Sequence, residues 1–256
     1  MSKRRKGKSN YRNRSRSGKL WLIVVVLIWI AIVAGLYVMV PQFARGIDDV
    51  FFQETQIESV SLDEIPEYDG QPYVIIDDNI PEFSEEDMVT RGFEEYSNLD
   101  FLGRCGVAYA NVGQDTMPTE KRGDISNVYP SGWENEEYDF ITDGGYVYNR
   151  CHLIGYQLAG ENDNEKNLIT GTRYMNVEGM LPFENEVAEY VEETDNHVLV
   201  RVTPIYDGTS LVASGVQMEA KSVEDDGEGV QFNVYCYNVQ PGVEIDYATG
   251  NNHAEK

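Results

Sequence analysis

Hydrophobic positions follow three different rules along the chain. From Leu20 to Val40 the sequence reads LWLIVVVLIWIAIVAGLYVMV, 21 residues without a charge. A globular helix shows one apolar stripe, whereas an unbroken run of this length matches the hydrocarbon core of a bilayer, about 30 Å thick. A single transmembrane helix is predicted there. From Pro41 to about Glu67 the chain is acidic and without period, which predicts a stalk. Beyond Tyr68 short alternating runs take over. Tyr73–Ile76 is a β-branched run stopped by Asp77, Asp78 and Asn79, and Val107–Asn111 lies among glycines and prolines between Gly103 and Trp133, so strands and loops are expected. Tyr146–His152 (YVYNRCH) is strand-like after Asp143-Gly144-Gly145. His197–Tyr206 and Leu211–Lys221 flank Asp207-Gly208, a hairpin signal, and Val230–Val239 adds a third alternating strand. Pro182–Thr194 begins with proline and sets Phe183, Val187, Tyr190 and Val191 at helical spacing. The expected fold is α+β on an antiparallel sheet, with boundaries 1–19 (basic tail), 20–40 (span), 41–67 (stalk) and 68–256 (folded domain).

Charge gives the span a direction. Lys3, Arg4, Arg5, Lys6, Lys8, Arg12, Arg14, Arg16 and Lys19 all precede it, and positive flanks stay cytoplasmic, so the larger carboxy-terminal part is expected outside the cell. A cleaved signal peptide is the competing reading, but its apolar region is usually about 7–15 residues and ends at a small-residue site. Ala31–Gly35 has only a faint form of one. The tail also resembles a nucleic-acid arm in composition, although beside a membrane span topology explains it more simply. All 44 Asp and Glu follow Arg45, against ten Lys and Arg, a balance of −34. Such acidity keeps a domain soluble and opposes binding to polyphosphates. Taken alone it favours a structural cell-surface role. Cys105, Cys151 and Cys236 are too few for a disulfide scaffold and lack zinc-site spacing. One bridge, with Cys105–Cys236 the favoured pair, and no bridge both stay open.

Candidate chemistry centres on one histidine. His253 lies in a polar tail and His197 opens a strand, both ordinary surface positions. His152 closes a strand and is followed within 32 residues by Asn167, Asn176 and Glu184. Singly, each has a bland explanation: asparagine favours caps and turns, an acid in a first helical turn suits the helix dipole, and Arg122 and Arg150 have many carboxylates to pair with.

Together these residues resemble a known pattern. Asn149-Arg150-Cys151-His152 is similar to the Asp-Arg-Gly-His signature of the DNA/RNA non-specific endonucleases, the ββα-metal or His-Me finger nucleases, and Asn167, Asn176 and Glu184 follow in that family's order. The resemblance looks closest to membrane-bound bacterial DNA-entry nucleases. It runs from about Tyr73 to Gly250, including Arg104–Tyr109 and Lys121–Gly123, and omits tail, span and stalk. It implies a ββα-metal fold in which His152 is general base, Asn176 is the protein ligand of one Mg2+ (with Mn2+ a substitute), and Glu184 orients water. Asn167 would steady the histidine loop or the phosphate, and Arg150 and Arg122 would contact the substrate phosphate. The chemistry suits these types. A neutral imidazole can activate water near pH 7, and magnesium keeps most of its waters, so one amide oxygen suffices as a ligand. Implied partners are DNA and RNA outside the cell, cut to 5′-phosphate and 3′-hydroxyl ends, and a DNA-uptake machinery. Two positions depart from the signature: Asn149 stands for aspartate and Cys151 for glycine. They motivate a rival reading, a catalytically silent, membrane-tethered nucleic-acid-binding module.

Overall fold

Strand pairing in this chain joins segments far apart in sequence. The computed structural model describes Leu27, residues 60–142 and residues 144–255. Two units divide the chain, residues 1–57 and 58–256, and of the first only Leu27, helical and exposed, is described. The expected basic tail, the 20–40 span and the stalk up to residue 59 therefore lie outside the described residues, apart from Leu27. Among the described residues no helix is long and apolar enough to cross a membrane.

The strands are β1 (Tyr73–Ile75), β2 (Phe93–Tyr96), β3 (Ala108–Val112), β4 (Tyr148–His152), β5 (Leu168–Thr172), β6 (Val198–Ile205), β7 (Gly215–Ser222), β8 (Gln231–Tyr237), β9 (Val243–Ile245) and β10 (Asn252–Ala254). Six form one antiparallel sheet in the order β1-β8-β7-β6-β3-β2, while β4-β5 and β9-β10 pair separately. The predicted hairpin is β6-β7, in register from Val198↔Ser222 to Ile205↔Gly215. Its second strand starts at Gly215 rather than near Leu211, because Val212 gives its N–H to Tyr247 O instead of to the ladder.

Alternation along these strands sorts the two faces of the sheet. Val198, Val200 and Val202 with Val216, Met218, Ala220, Phe232 and Val234 form an apolar face that packs against helix α2 (Leu181–Thr194) through Val187, Ala188 and Val191, and against β4-β5 through Cys151 and Ile169. On the other face Arg201 and Glu219, directly opposite in register, make a buried two-pronged pair at 2.7 and 2.8 Å. Arg201 also donates to Glu82 O, and the Phe83 ring lies 5.0 Å from its guanidinium, so a loop rather than a helix covers this side.

The folded part begins earlier than the sequence pattern suggests. Val60, Leu62 and Ile65, expected in the stalk, pack against Ile76, Ile205, Tyr235 and Tyr237. Val60 N–H donates to Gln217 Oε1 at 2.9 Å, and Tyr237 Oη donates to Pro66 O at 2.7 Å. These few apolar side chains are too widely spaced to show a period, yet they close one end of the second face. The three cysteines are free and buried, so the Cys105–Cys236 bridge is not formed. Cys105 instead donates to Glu165 O and Leu168 O, both at 3.3 Å.

The elements between β3 and β6 carry the expected site residues. Strand β4 runs antiparallel to β5, pairing Tyr148↔Thr172 and His152↔Leu168, and the connection contains helix α1 (Tyr156–Ala159) and a 3₁₀ turn, Glu165–Asn167. After β5 a π-helical turn, Met175–Met180, leads directly into α2. Buried Met175 and Met180 anchor that turn to the apolar face of the sheet. Two antiparallel strands followed by a helix are thus held as one unit on the large sheet.

Candidate active site

Strand β4, the π-helical turn and the start of α2 enclose an open cleft of about 760 Å3, lined among others by Arg122, Arg150, His152, Arg173, Asn176 and Glu184. Three guanidiniums and a single carboxylate among these six give the cleft a positive balance on a strongly acidic chain. The departing residue Asn149 also lines it.

His152 is only 6% exposed. Its Nε2 lies 2.8 Å from Asn162 O, and a carbonyl oxygen can only accept, so Nε2 carries the proton of the neutral ring. Nδ1 then carries the lone pair, which accepts from Arg122 Nη2 at 3.4 Å. Burial lowers the His152 pKa below its ordinary value, the Asn162 carbonyl opposes this, and the Arg122 charge lowers it further. These effects favour the neutral ring, the form in which an imidazole can accept a proton. Asn162 does a second task with its side chain, accepting the Gly123 N–H at 2.9 Å and so tying the Arg122 loop to the histidine. Sequence reasoning missed it because a backbone carbonyl leaves no residue-type signal, and Asn162 sits in a polar run, GENDNE, that reads as an ordinary loop.

Asn167 is fully buried and faces away from solvent. Its Oδ1 accepts the Ile154 N–H at 2.8 Å and its Nδ2 donates to Ile154 O at 3.0 Å, while Leu153 N–H donates to Asn167 O. The carboxamide therefore holds the chain just after His152. With both ends of its amide committed, it is placed on the histidine loop and not at the cleft. A matching clip, absent from the sequence reading, grips the other end of β4: Asn135 accepts the Tyr148 N–H at 2.8 Å and donates to Tyr148 O at 3.0 Å.

Asn176 lies in the π-helical turn and lines the cleft, and its Oδ1 accepts a hydrogen bond from Cys151 Sγ at 3.0 Å. Burial pushes the Cys151 thiol well above the usual thiol range, and the Glu184 charge adds to this. Glu184 stands in the first turn of α2, half-buried. Burial raises its pKa to about 7, with Arg122 and a Gln157 hydrogen bond pulling the other way. Its carboxylate rests on Gly155, where a Cβ would come within 2.6 Å of Oε2. The glycine is needed for room, since its φ of −56° suits any residue.

The arginines divide. Arg122 lines the cleft beside His152. Arg150, expected to grip a phosphate with two parallel donors, also lines the cleft, but its Nε donates to Val128 O and its Nη2 to Ser126 O. Its guanidinium sits 4.3 Å from the Trp133 ring centre and 5.3 Å from that of Tyr129. The donor edge expected for phosphate is thus turned to loop carbonyls. Arg173, which no sequence signal marked, lines the cleft as well. His197 and His253 pair with Glu224 and Glu244 away from this site.

No group of three His, Cys, Asp or Glu is placed to hold a metal among the described residues. Asn176 and Glu184 line the cleft instead, and their side-chain oxygens are of the kind that a hard cation retaining most of its water takes.

Residues 84–224 match a family described as DNA/RNA non-specific endonuclease. Among solved structures, NucA from Streptococcus agalactiae with magnesium ion bound is similar at 25% identity, over 71% of this chain and 87% of that one, with a TM-score of 0.63. The same protein with no metal bound gives 26%, 71% and 86%, and 0.61. Sda1 nuclease with bound zinc ion shares the fold, at 23% identity over 77% of this chain and all of that one, TM-score 0.63.

Proposed function

Since this chain belongs to the DNA/RNA non-specific endonuclease family, we propose that its cleft hydrolyses phosphodiester bonds of both DNA and RNA, with His152 as general base and one Mg2+ held by Asn176. The observation that carries this reading is the hydrogen bond from His152 Nε2 to Asn162 O, which leaves Nδ1 as the proton acceptor in a buried, neutral ring. Nδ1 takes a proton from the water that attacks phosphorus, and a side chain so placed typically contributes about 10²–10⁴-fold. Arg122, beside Nδ1, meets the scissile phosphate. Arg173 extends the positive lining, and Arg150 shapes the cleft wall through Trp133 and the 126–128 carbonyls. Asn167 keeps the histidine loop in place. Asn176 Oδ1 and Glu184 would hold the cation, directly and through water respectively, and when bound it would stabilise charge on the phosphoryl and leaving oxygens. That NucA was crystallised with magnesium supports this choice of metal. Mn2+, similar in its preference for oxygen ligands, would substitute.

The apolar run from Leu20 to Val40 and the basic residues before it support a single-pass anchor with the nuclease unit outside the cell. The positive cleft supplies local attraction that the −34 balance after Arg45 denies at long range. The test is cleavage of circular plasmid and of single-stranded RNA by the full-length chain in detergent, with magnesium or EDTA, beside His152→Ala and Asn176→Ala. Magnesium-dependent cutting of both substrates, lost in both variants, is expected. Intact substrates with folded protein would instead favour the silent binding module.

A further inference from the structure

Cys151 occupies a position where the family signature has glycine, and its side chain points at one atom of the cleft. The sulfur is fully buried and lies 3.0 Å from Asn176 Oδ1, closer than to its other neighbours, Met180 Sδ at 3.5 Å and His152 O at 3.7 Å. Room for it comes from the neighbouring strand. A Cβ on Gly171 would lie 2.6 Å from Cys151 Cβ and 3.2 Å from Sγ, so the missing side chain on β5 makes space for the one added on β4.

We propose that Cys151 is a positioning residue for the metal: its thiol proton fixes the Asn176 carboxamide with the oxygen, not the nitrogen, available to a cation in the cleft. This rests on the reading of Asn176 as metal ligand. The two ends of a carboxamide have nearly the same shape, and a flip would present an NH2 group that repels a cation. A donor on Oδ1 selects one orientation. The amide oxygen has two lone pairs, so one accepts from sulfur while the other serves the metal. The thiol is buried in the apolar cluster that also holds Met175, Met180 and Ile169. Outer partners of metal ligands that do this work typically contribute about 10–100-fold in metal affinity. The position that departs from the signature is then a substitute for whatever orients the asparagine when that position is glycine.

Mn2+ binding to the full-length chain in detergent, followed by electron paramagnetic resonance, tests this without relying on turnover. Cys151→Ala is expected to weaken binding about tenfold, whereas Cys151→Ser, which keeps a hydroxyl donor, stays within about threefold of the parent. Equal affinity in Ala and parent, or equal loss in Ala and Ser, would overturn the proposal, the second result assigning Cys151 to packing alone. Asn176→Ala separates the two readings. If it binds Mn2+ as the parent does, the ligand assignment fails and this proposal with it; if it loses Mn2+ while Cys151→Ala does not, only this proposal fails. Should Cys151→Ala fail to fold, the parent still decides. Its S–H stretching band, assigned by difference from Cys151→Ser, must shift on adding Mg2+, and an unmoved band would overturn the proposal.

Discussion

Single side chains at the cleft and behind it make opposite demands on the fold. Glu184 is held against Gly155 in surroundings that disfavour its charge, so the folded protein binds its proton more tightly than the unfolded chain does. A raised carboxyl pKa adds stability below its ordinary value of 4.5, and that contribution is lost as pH rises through about 7. In metal-free protein Glu184→Gln should therefore melt higher than the parent at about pH 8, by on the order of 2 kcal/mol, with the gap closing in acid. Added Mg2+ should narrow the gap by supplying the missing positive charge; a gap of the same size in acid and base would mean the carboxyl is not strained. Asn167 has the opposite character, a neutral group whose value is all in its geometry. Asn167→Ala would leave the buried N–H and C=O of Ile154 without partners and should cost about 2–4 kcal/mol in urea denaturation. Its signature in sequence was position only. Nothing in EKNLIT shows that the amide turns inward to the backbone rather than outward to a phosphate.

At the scale of elements, the pieces with a strong period were the ones legible in the sequence. Strands β6, β7 and β8 alternate apolar and polar residues, the Asp207-Gly208 turn sets the hairpin, and α2 shows Phe183, Val187 and Val191 on one side. The site elements are shorter and are held by side-chain amides more than by pattern. A two-stranded ribbon such as β4-β5 has little stability alone. It is fastened by Asn135 before His152, by Asn167 after it, and by Asn238, which accepts the Thr172 N–H and donates to Thr170 O on β5. These contacts cross 13 residues for Asn135 and Asn167 and 66 or 68 for Asn238, and asparagine in a polar loop gives no hint of its distant partner. The π-helical turn and the cleft lining by Arg173 were invisible for the same reason. Space in this ribbon is as tightly specified as bonding. Gly155→Ala should displace the Glu184 carboxylate while keeping an allowed backbone, so magnesium-supported activity should fall about tenfold, with a smaller loss of melting temperature than Asn167→Ala shows. Unchanged activity would show that the carboxylate has no fixed place in the reaction.

For the whole molecule, the main tension lies between global and local charge. A chain with ten cationic and 44 acidic side chains after Arg45 repels polyanions at a distance, and three cleft arginines bound the number of phosphates it can neutralise. Counterion release from at most three contacts gives a log–log slope of affinity against salt no steeper than about −2 for single strands. A slope much steeper than this, from binding of single-stranded DNA to His152→Ala in rising potassium chloride, would point to a second cationic surface. The sheet has a consequence of a different kind. Its first edge strand, β1, pairs with β8 through Tyr73↔Cys236, and β3 meets β6 only across the entire site-bearing excursion. Pairings so distant along the chain delay folding, because their ends must be brought together before any ladder bond rewards it. During synthesis, β1 emerges before every other strand of the sheet and stays unpaired until β8 has followed it out, so the interval in which an open edge is exposed to other chains is set by the length of polypeptide still to come.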